Sequence, residues 1–121
     1  MQSKQKKILV LDDDPDILEF LQAVLEEAGF LVVTADKGER LEKLNKRPLP
    51  ELILLDMLHS GKDGGEIIRR VKSQQKTKHI PVIMVSGYPK AEQTALAAGA
   101  DDFVEKPFDI QLLLQKIARY V

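Results

Sequence analysis

Apolar residues along this chain cluster into five short runs, each of strand length and each closed by a polar or turn-forming residue. Lys7–Leu11 reads Lys-Ile-Leu-Val-Leu and stops at Asp12-Asp13-Asp14, the pattern of a strand buried on both faces. Leu31–Ala35 is short and rich in β-branched residues, 52–55 is wholly aliphatic and runs into Asp56, 81–85 ends at Ser86-Gly87, and 103–105 ends at Lys106-Pro107. Between these runs the period changes from continuous to helical. Asp14 is placed to cap a helix opened by Pro15, whose fixed φ suits a first helical turn, and Ile17, Leu18, Leu21, Val24 and Leu25 follow at helical spacing until Gly29. A weakly amphipathic helix is expected over 37–46, carrying Leu41 and Leu44 and broken by Pro48 and Pro50. Asp63 is the expected cap of a third helix bearing Ile67, Ile68 and Val71. A fourth, over 90–98, stops at Gly99, and Asp109 caps a fifth that buries Leu112, Leu113, Leu114 and Ile117.

Strand and helix alternate five times, and strands this apolar cannot face water, so a parallel sheet covered by helices on both faces follows. Five units are too few for an eight-stranded barrel. In an open sheet of this kind, sites lie beyond the carboxyl ends of the strands.

Composition narrows the function. A chain of 121 residues with 44% hydrophobic content suits one domain over 1–121, and its net charge of −1 offers neither a global nucleic-acid surface nor a polybasic membrane face. Cysteine is absent, which removes disulfides, thiolate metal sites and cysteine nucleophiles. No run approaches the ~20 apolar residues of a membrane span, so a cytoplasmic protein is expected.

What remains is local. Asp12 and Asp13 follow the first strand, Asp56 the third, Ser86 the fourth and Lys106 the fifth, and a parallel sheet gathers these ends along one edge. Carboxylates brought together repel one another unless a cation or protons neutralise them. Mg²⁺ fits best, because it prefers hard oxygen ligands and is usually held by one or two carboxylates together with phosphate oxygens. A lysine and a serine hydroxyl complete a pocket for a phosphoryl group.

In these residues the chain resembles the receiver domains of two-component response regulators, from about Lys7 through the last helix. The resemblance rests on Ile-Leu-Val-Leu-Asp12-Asp13-Asp14, on Leu-Ile-Leu-Leu-Asp56 with Gly61-Lys62-Asp63-Gly64, on Val-Ile-Met-Val-Ser86-Gly87 and on Phe103-Val104-Glu105-Lys106-Pro107-Phe108. It implies a flavodoxin-like, doubly wound five-stranded parallel sheet of order 2-1-3-4-5 with five helices. By the same resemblance Asp56 is the phosphoacceptor, supplied by a sensor histidine kinase or a histidine phosphotransfer protein. Asp13, Asp56 and the Leu58 carbonyl would ligate Mg²⁺, and Asp12 would act through a metal-bound water. Lys106 would pair with the phosphoryl group. Ser86 would move to bond it, and Phe103 would turn inward and reshape the surface of the fourth helix, fifth strand and fifth helix. The Lys106-Pro107 bond is expected to be cis. The protein would catalyse only its own phosphorylation and dephosphorylation, and would be a monomer or a phosphorylation-dependent homodimer. It would contact no nucleic acid directly and would act on a downstream protein target.

Some residues depart from the pattern. His59-Ser60 stands where many receivers carry an apolar residue and proline, and both His59 and His79 read as solvated side chains. The bulk of Leu58 and Tyr88 is expected to slow autodephosphorylation. Asp101-Asp102 reads as a strand start and cap. No P-loop or EF-hand spacing is present. A phosphohydrolase of the haloacid dehalogenase type, with Asp12 as nucleophile and Asp14 as acid and base, shares much of the motif set but leaves Asp56 without a role. A phosphorylation-independent interaction module is the other alternative. No helix-turn-helix or enzymatic segment follows the last helix, so a stand-alone receiver or a piece of a larger regulator or hybrid kinase is expected.

Overall fold

The computed structural model describes residues 5–36, 47–57 and 62–121. Its elements run β1 (Lys7–Leu11), α1 (Pro15–Glu27), β2 (Leu31–Ala35), β3 (Leu52–Met57), α2 (Lys62–Ser73), β4 (Val82–Ser86), α3 (Ala91–Ala98), β5 (Asp102–Glu105) and α4 (Ile110–Ala118). The strands form one parallel sheet of order β2-β1-β3-β4-β5. Four helices lie among the described residues, and the predicted helix over 37–46 falls outside them. The predicted fourth and fifth helices are therefore α3 and α4.

Alternation along each strand divides the core in two. Leu9, Leu11, Ile53, Leu55, Val82, Met84 and Phe103 face one side, under Ile67, Ile68 and Val71 of α2 and Ala91, Ala95 and Ala98 of α3. Ile8, Val10, Leu52, Leu54, Ile83, Val85 and Val104 face the other, under Leu21 and Leu25 of α1 and Leu113 and Ile117 of α4. Both faces being covered explains why the strands read as unbroken apolar runs.

The expected caps form at two helices. The Asp14 carboxylate accepts the Asp16 N–H at 2.9 Å and Asp109 accepts the Gln111 N–H at 2.8 Å. Gly29 and Gly99 take φ of 101° and 109°, the left-handed region that lets the chain leave α1 and α3 at no steric cost. Lys106-Pro107 is cis, as expected.

Boundaries shift where the ladder outlasts the apolar run. β3 continues to Met57, so Asp56 sits inside the strand opposite Val85, and β4 includes Ser86, opposite Met57 and Glu105. β4 begins only at Val82; the preceding Pro81 has no N–H to give, though its carbonyl accepts the Ile53 N–H at 2.9 Å. α2 starts at Lys62, which places Asp63 within the helix and corrects its expected role as cap. Among the described residues no helix is long and apolar enough to cross a membrane.

Candidate functional site

The pleat decides which chemistry each strand end presents. Asp56 follows Leu52 and Leu54 in phase, so its side chain emerges on the α1 and α4 side of the sheet. Asp12 continues the phase of Ile8 and Val10, and Lys106 that of Val104. Ser86 and Phe103 keep the opposite phase, on the side of α2 and α3. Backbone bonds hold the edge together past the strand ends: the Asp12 N–H donates to the Ala35 carbonyl at 3.2 Å and the Lys106 N–H to the Ser86 carbonyl at 3.0 Å.

On the first side two carboxylates and an ammonium meet. Asp56 is 1% exposed and Asp12 is 4% exposed. Lys106 Nζ lies 2.5 Å from Asp56 Oδ1, a strong ion pair with the buried carboxylate. Asp12 Oδ1 accepts the Asp14 N–H at 2.9 Å, while the buried Asp12 Oδ2 has no hydrogen-bond partner. Buried acceptors left in this condition cost free energy, and the titration behaviour of the pair reflects it. Burial pushes the Asp12 carboxyl up to about 6, against the Asp14 N–H and with help from the neighbouring Asp56 charge. Burial also raises Asp56, opposed by Lys106.

A buried Asp12 oxygen without a hydrogen-bond partner and a pair of carboxyls pushed toward protonation are what a hard divalent cation would relieve, so the donor set fits Mg²⁺. Asp13 lies in the exposed turn beside Asp12, and Leu58, His59 and Ser60 lie outside the described residues. Among the described residues no group of three or more acidic or histidine side chains is gathered as a cation cage.

A profile of the response regulator receiver domain matches residues 8–118. The chain belongs to that family. It is 37% identical over 115 residues to the phosphate regulon transcriptional regulatory protein PhoB of Escherichia coli, covering 93% of this chain and 50% of PhoB. The receiver thus spans half the length of that relative. The chemotaxis protein CheY4 of Vibrio cholerae superposes with a TM-score of 0.84 at 30% identity, covering 98% of this chain and all of CheY4. The receiver domain of the sensor histidine kinase PA1611 from Pseudomonas aeruginosa shares the fold, with a TM-score of 0.82 at 23% identity and coverage of 97% and 98%; in that protein a magnesium ion is coordinated in the active-site cleft.

On the other side of the receiver's sheet, the buried Ser86 Oγ accepts the Tyr88 N–H at 3.1 Å, and Phe103 is buried among the residues facing α2 and α3. The structure brings Asp12, Asp56 and Lys106 together and sets Ser86 on the strand next to Asp56.

One feature of the site escaped sequence reasoning. An apolar pocket of about 380 Å³ abuts Asp56 and Lys106, walled by Ile17, Phe20 and Leu21 of α1 and by Pro107 and Phe108. Its signal was Phe20, an aromatic residue off the apolar stripe that α1 turns to the core, and 48% exposed.

Proposed function

We propose that Asp56 is the phosphoacceptor of this receiver domain and that the domain, taken as the whole of 1–121, works as a phosphorylation switch. The observation that carries the reading is the buried Asp56 carboxylate with Lys106 Nζ at 2.5 Å and a second buried carboxylate, Asp12, beside it. Asp13, Asp56 and the Leu58 carbonyl would hold Mg²⁺, with Asp12 acting through a water. Held there, the ion would supply the positive charge that offsets the carboxylates and suits phosphoryl oxygens.

The donor is the phosphohistidine of a sensor histidine kinase or histidine phosphotransfer protein. An Asp56 oxygen forms the new bond to phosphorus, the phosphorus–nitrogen bond breaks, and the imidazole nitrogen keeps the electron pair and takes up a proton. Lys106, released from its Asp56 partner once the acyl phosphate forms, transfers its charge to a phosphoryl oxygen. The Ser86 hydroxyl donates to another, and Phe103, on the same side of the sheet as Ser86, moves with it and reshapes the surface of α3, β5 and α4. The phosphoryl group adds roughly −1.5 to −2 charges beside these groups. Converting an active state populated at ~1% to one at ~99% takes about 5.5 kcal/mol of differential stabilisation, within reach of several charge-assisted contacts.

The domain acts in the cytoplasm, on itself rather than on a separate substrate, and passes its state to a protein target as a monomer or a phosphorylation-dependent homodimer, without direct nucleic-acid or membrane contact. Leu58 and Tyr88 slow loss of the phosphoryl group; a half-life no longer than that of the Leu58→Asn, Tyr88→Glu double mutant removes that part of the reading. The phosphohydrolase alternative is not favoured, because the receiver-domain profile matches residues 8–118.

The test is incubation with phosphoramidate and Mg²⁺ followed by intact mass measurement. Wild type gains one phosphoryl group and Asp56→Asn gains none. An unmodified wild type points instead to an interaction module that keeps the fold without the chemistry.

A further inference from the structure

We infer that Lys116 is a positioning residue that ties α4 to the backbone of Phe103, so that a change at Phe103 after phosphorylation is carried across the sheet into α4. The inference rests on Asp56 being the phosphoacceptor and on Phe103 responding to it. Among the described residues β5 closes the strand order and pairs with β4 alone, which leaves its outer edge with backbone groups that need partners. At Phe103 those partners are side chains. The Phe103 N–H donates to Asp102 Oδ1 at 2.8 Å, and the Phe103 carbonyl accepts from Lys116 Nζ at 3.0 Å. The same ammonium lies 3.1 Å from Asp102 Oδ1, so one ion pair holds both the N–H and the C=O of a single residue. The Tyr120 hydroxyl, just past the end of α4, reaches the other Asp102 oxygen at 3.2 Å.

The position of Phe103 gives this clamp its consequence. Its side chain is buried on the face covered by α2 and α3, with Met84 opposite it on β4, whereas Lys116 stands on α4, which covers the other face through Leu113 and Ile117. Ring and backbone of one residue are therefore held from opposite sides of the sheet. With only 22% and 19% of their side chains exposed, Lys116 and Asp102 keep charge-assisted bonds that solvent does not readily replace. A ring buried among close-packed neighbours turns only with some adjustment of its own backbone, and the ion pair that grips this backbone moves with it. The displacement arrives at α4 through the lysine stem, and packed elements convert small shifts of this kind into a change of arrangement.

Hydrogen exchange read by mass spectrometry tests the tie. The chain is held in phosphoramidate and Mg²⁺, phosphoryl gain is followed by intact mass, and exchange in peptides spanning β5 and α4 is compared with that of untreated protein in wild type, Lys116→Met and Lys116→Arg. Methionine keeps most of the apolar stem and loses the donor, while arginine keeps the charge and the reach. Wild type is expected to change exchange at both elements on phosphorylation. Lys116→Met is expected to keep the β5 change and to shrink the α4 change in rate by roughly 2- to 30-fold, the scale on which one link alters such coupling, and Lys116→Arg to restore it. A merely structural lysine would raise α4 exchange equally with and without the phosphoryl group, leaving the difference at its wild-type size, and that result overturns the inference. So does a phosphorylated wild type whose α4 exchange is unchanged; either leaves Asp56 as the phosphoacceptor. Lys116→Gln, shorter and uncharged, carries the same expectation if Lys116→Met does not fold. Absence of phosphoryl gain in wild type overturns both readings.

Discussion

The chain carries two adjacent acidic pairs at opposite edges of one sheet. Asp12-Asp13 follows the carboxyl end of β1, and Asp101-Asp102 stands at the amino end of β5. Asp101 Oδ2 accepts the Val82 N–H at 2.8 Å and the Lys72 ammonium at 2.7 Å. Asp102 takes the Phe103 N–H at 2.8 Å, Lys116 at 3.1 Å and the Tyr120 hydroxyl at 3.2 Å. Burial alone pushes the Asp102 carboxyl up, yet these donors outweigh it and hold it below the usual carboxylate range. At the other edge burial wins, Asp12 rises to about 6, and one of its oxygens has no hydrogen-bond partner. One pair fastens helices and strands together; in the other, Asp12 stores unfavourable charge where a cation and a phosphoryl group are expected to bind. Residue type does not separate them, whereas the supply of donors around each does.

The largest effect expected from breaking this comparison is at the satisfied edge. Asp101→Ala removes the acceptor shared by Val82 and Lys72 and should lower stability by about 1–3 kcal/mol in a urea titration. Asp12→Asn should do the reverse, raising stability by about 1–2 kcal/mol at pH 8 in the presence of a chelator, because it removes a buried charge held against its preference. A loss of stability in Asp12→Asn under those conditions would equate the two edges. Tyr120→Phe, which deletes one donor to Asp102 and to the Asp101 carbonyl, should cost about 0.5–1 kcal/mol.

The pH dependence has opposite signs at the two edges. Asp12 binds its proton more tightly in the folded state than in the unfolded one, so its contribution to stability is present below the unfolded value of 3.8 and is lost as pH rises through about 6. Asp102 binds its proton less tightly when folded, so its contribution is present above 3.8 and is lost as pH falls through its lowered folded value. Thermal melts in chelator should therefore show wild type losing stability between about pH 4 and 6 relative to Asp12→Asn, while Tyr120→Phe keeps that loss and differs from wild type mainly above pH 4.

Much of this was legible in sequence because the same residues encode strand burial and strand termination. The unbroken run from Ile8 to Leu11 and the polar stop at Asp12 are one pattern seen twice, as fold and as site. Caps at Asp14 and Asp109 were readable because a short side-chain acceptor before a helical period has one good use. The end of β3 was not, since backbone pairing with Val85 and Ser86 carries the strand through a charged residue that local propensity treats as a stop. The donors around Asp101 and Asp102 come from Lys72, Lys116 and Tyr120, residues distant in sequence, so only the folded chain separates a fastened acidic pair from a strained one. Phe20 failed to register for a similar reason: its partners Pro107 and Phe108 arrive from the other end of the chain.

The central claim is that the strained edge delivers a phosphoryl group to Asp56 and to no other carboxylate. Borohydride reduction of the domain after treatment with phosphoramidate and Mg²⁺ converts an acyl phosphate to an alcohol, and peptide mass mapping then finds the residue that carried it. The account predicts homoserine at position 56 alone. Homoserine at position 12 or 13, with Asp56 unmodified, would contradict it.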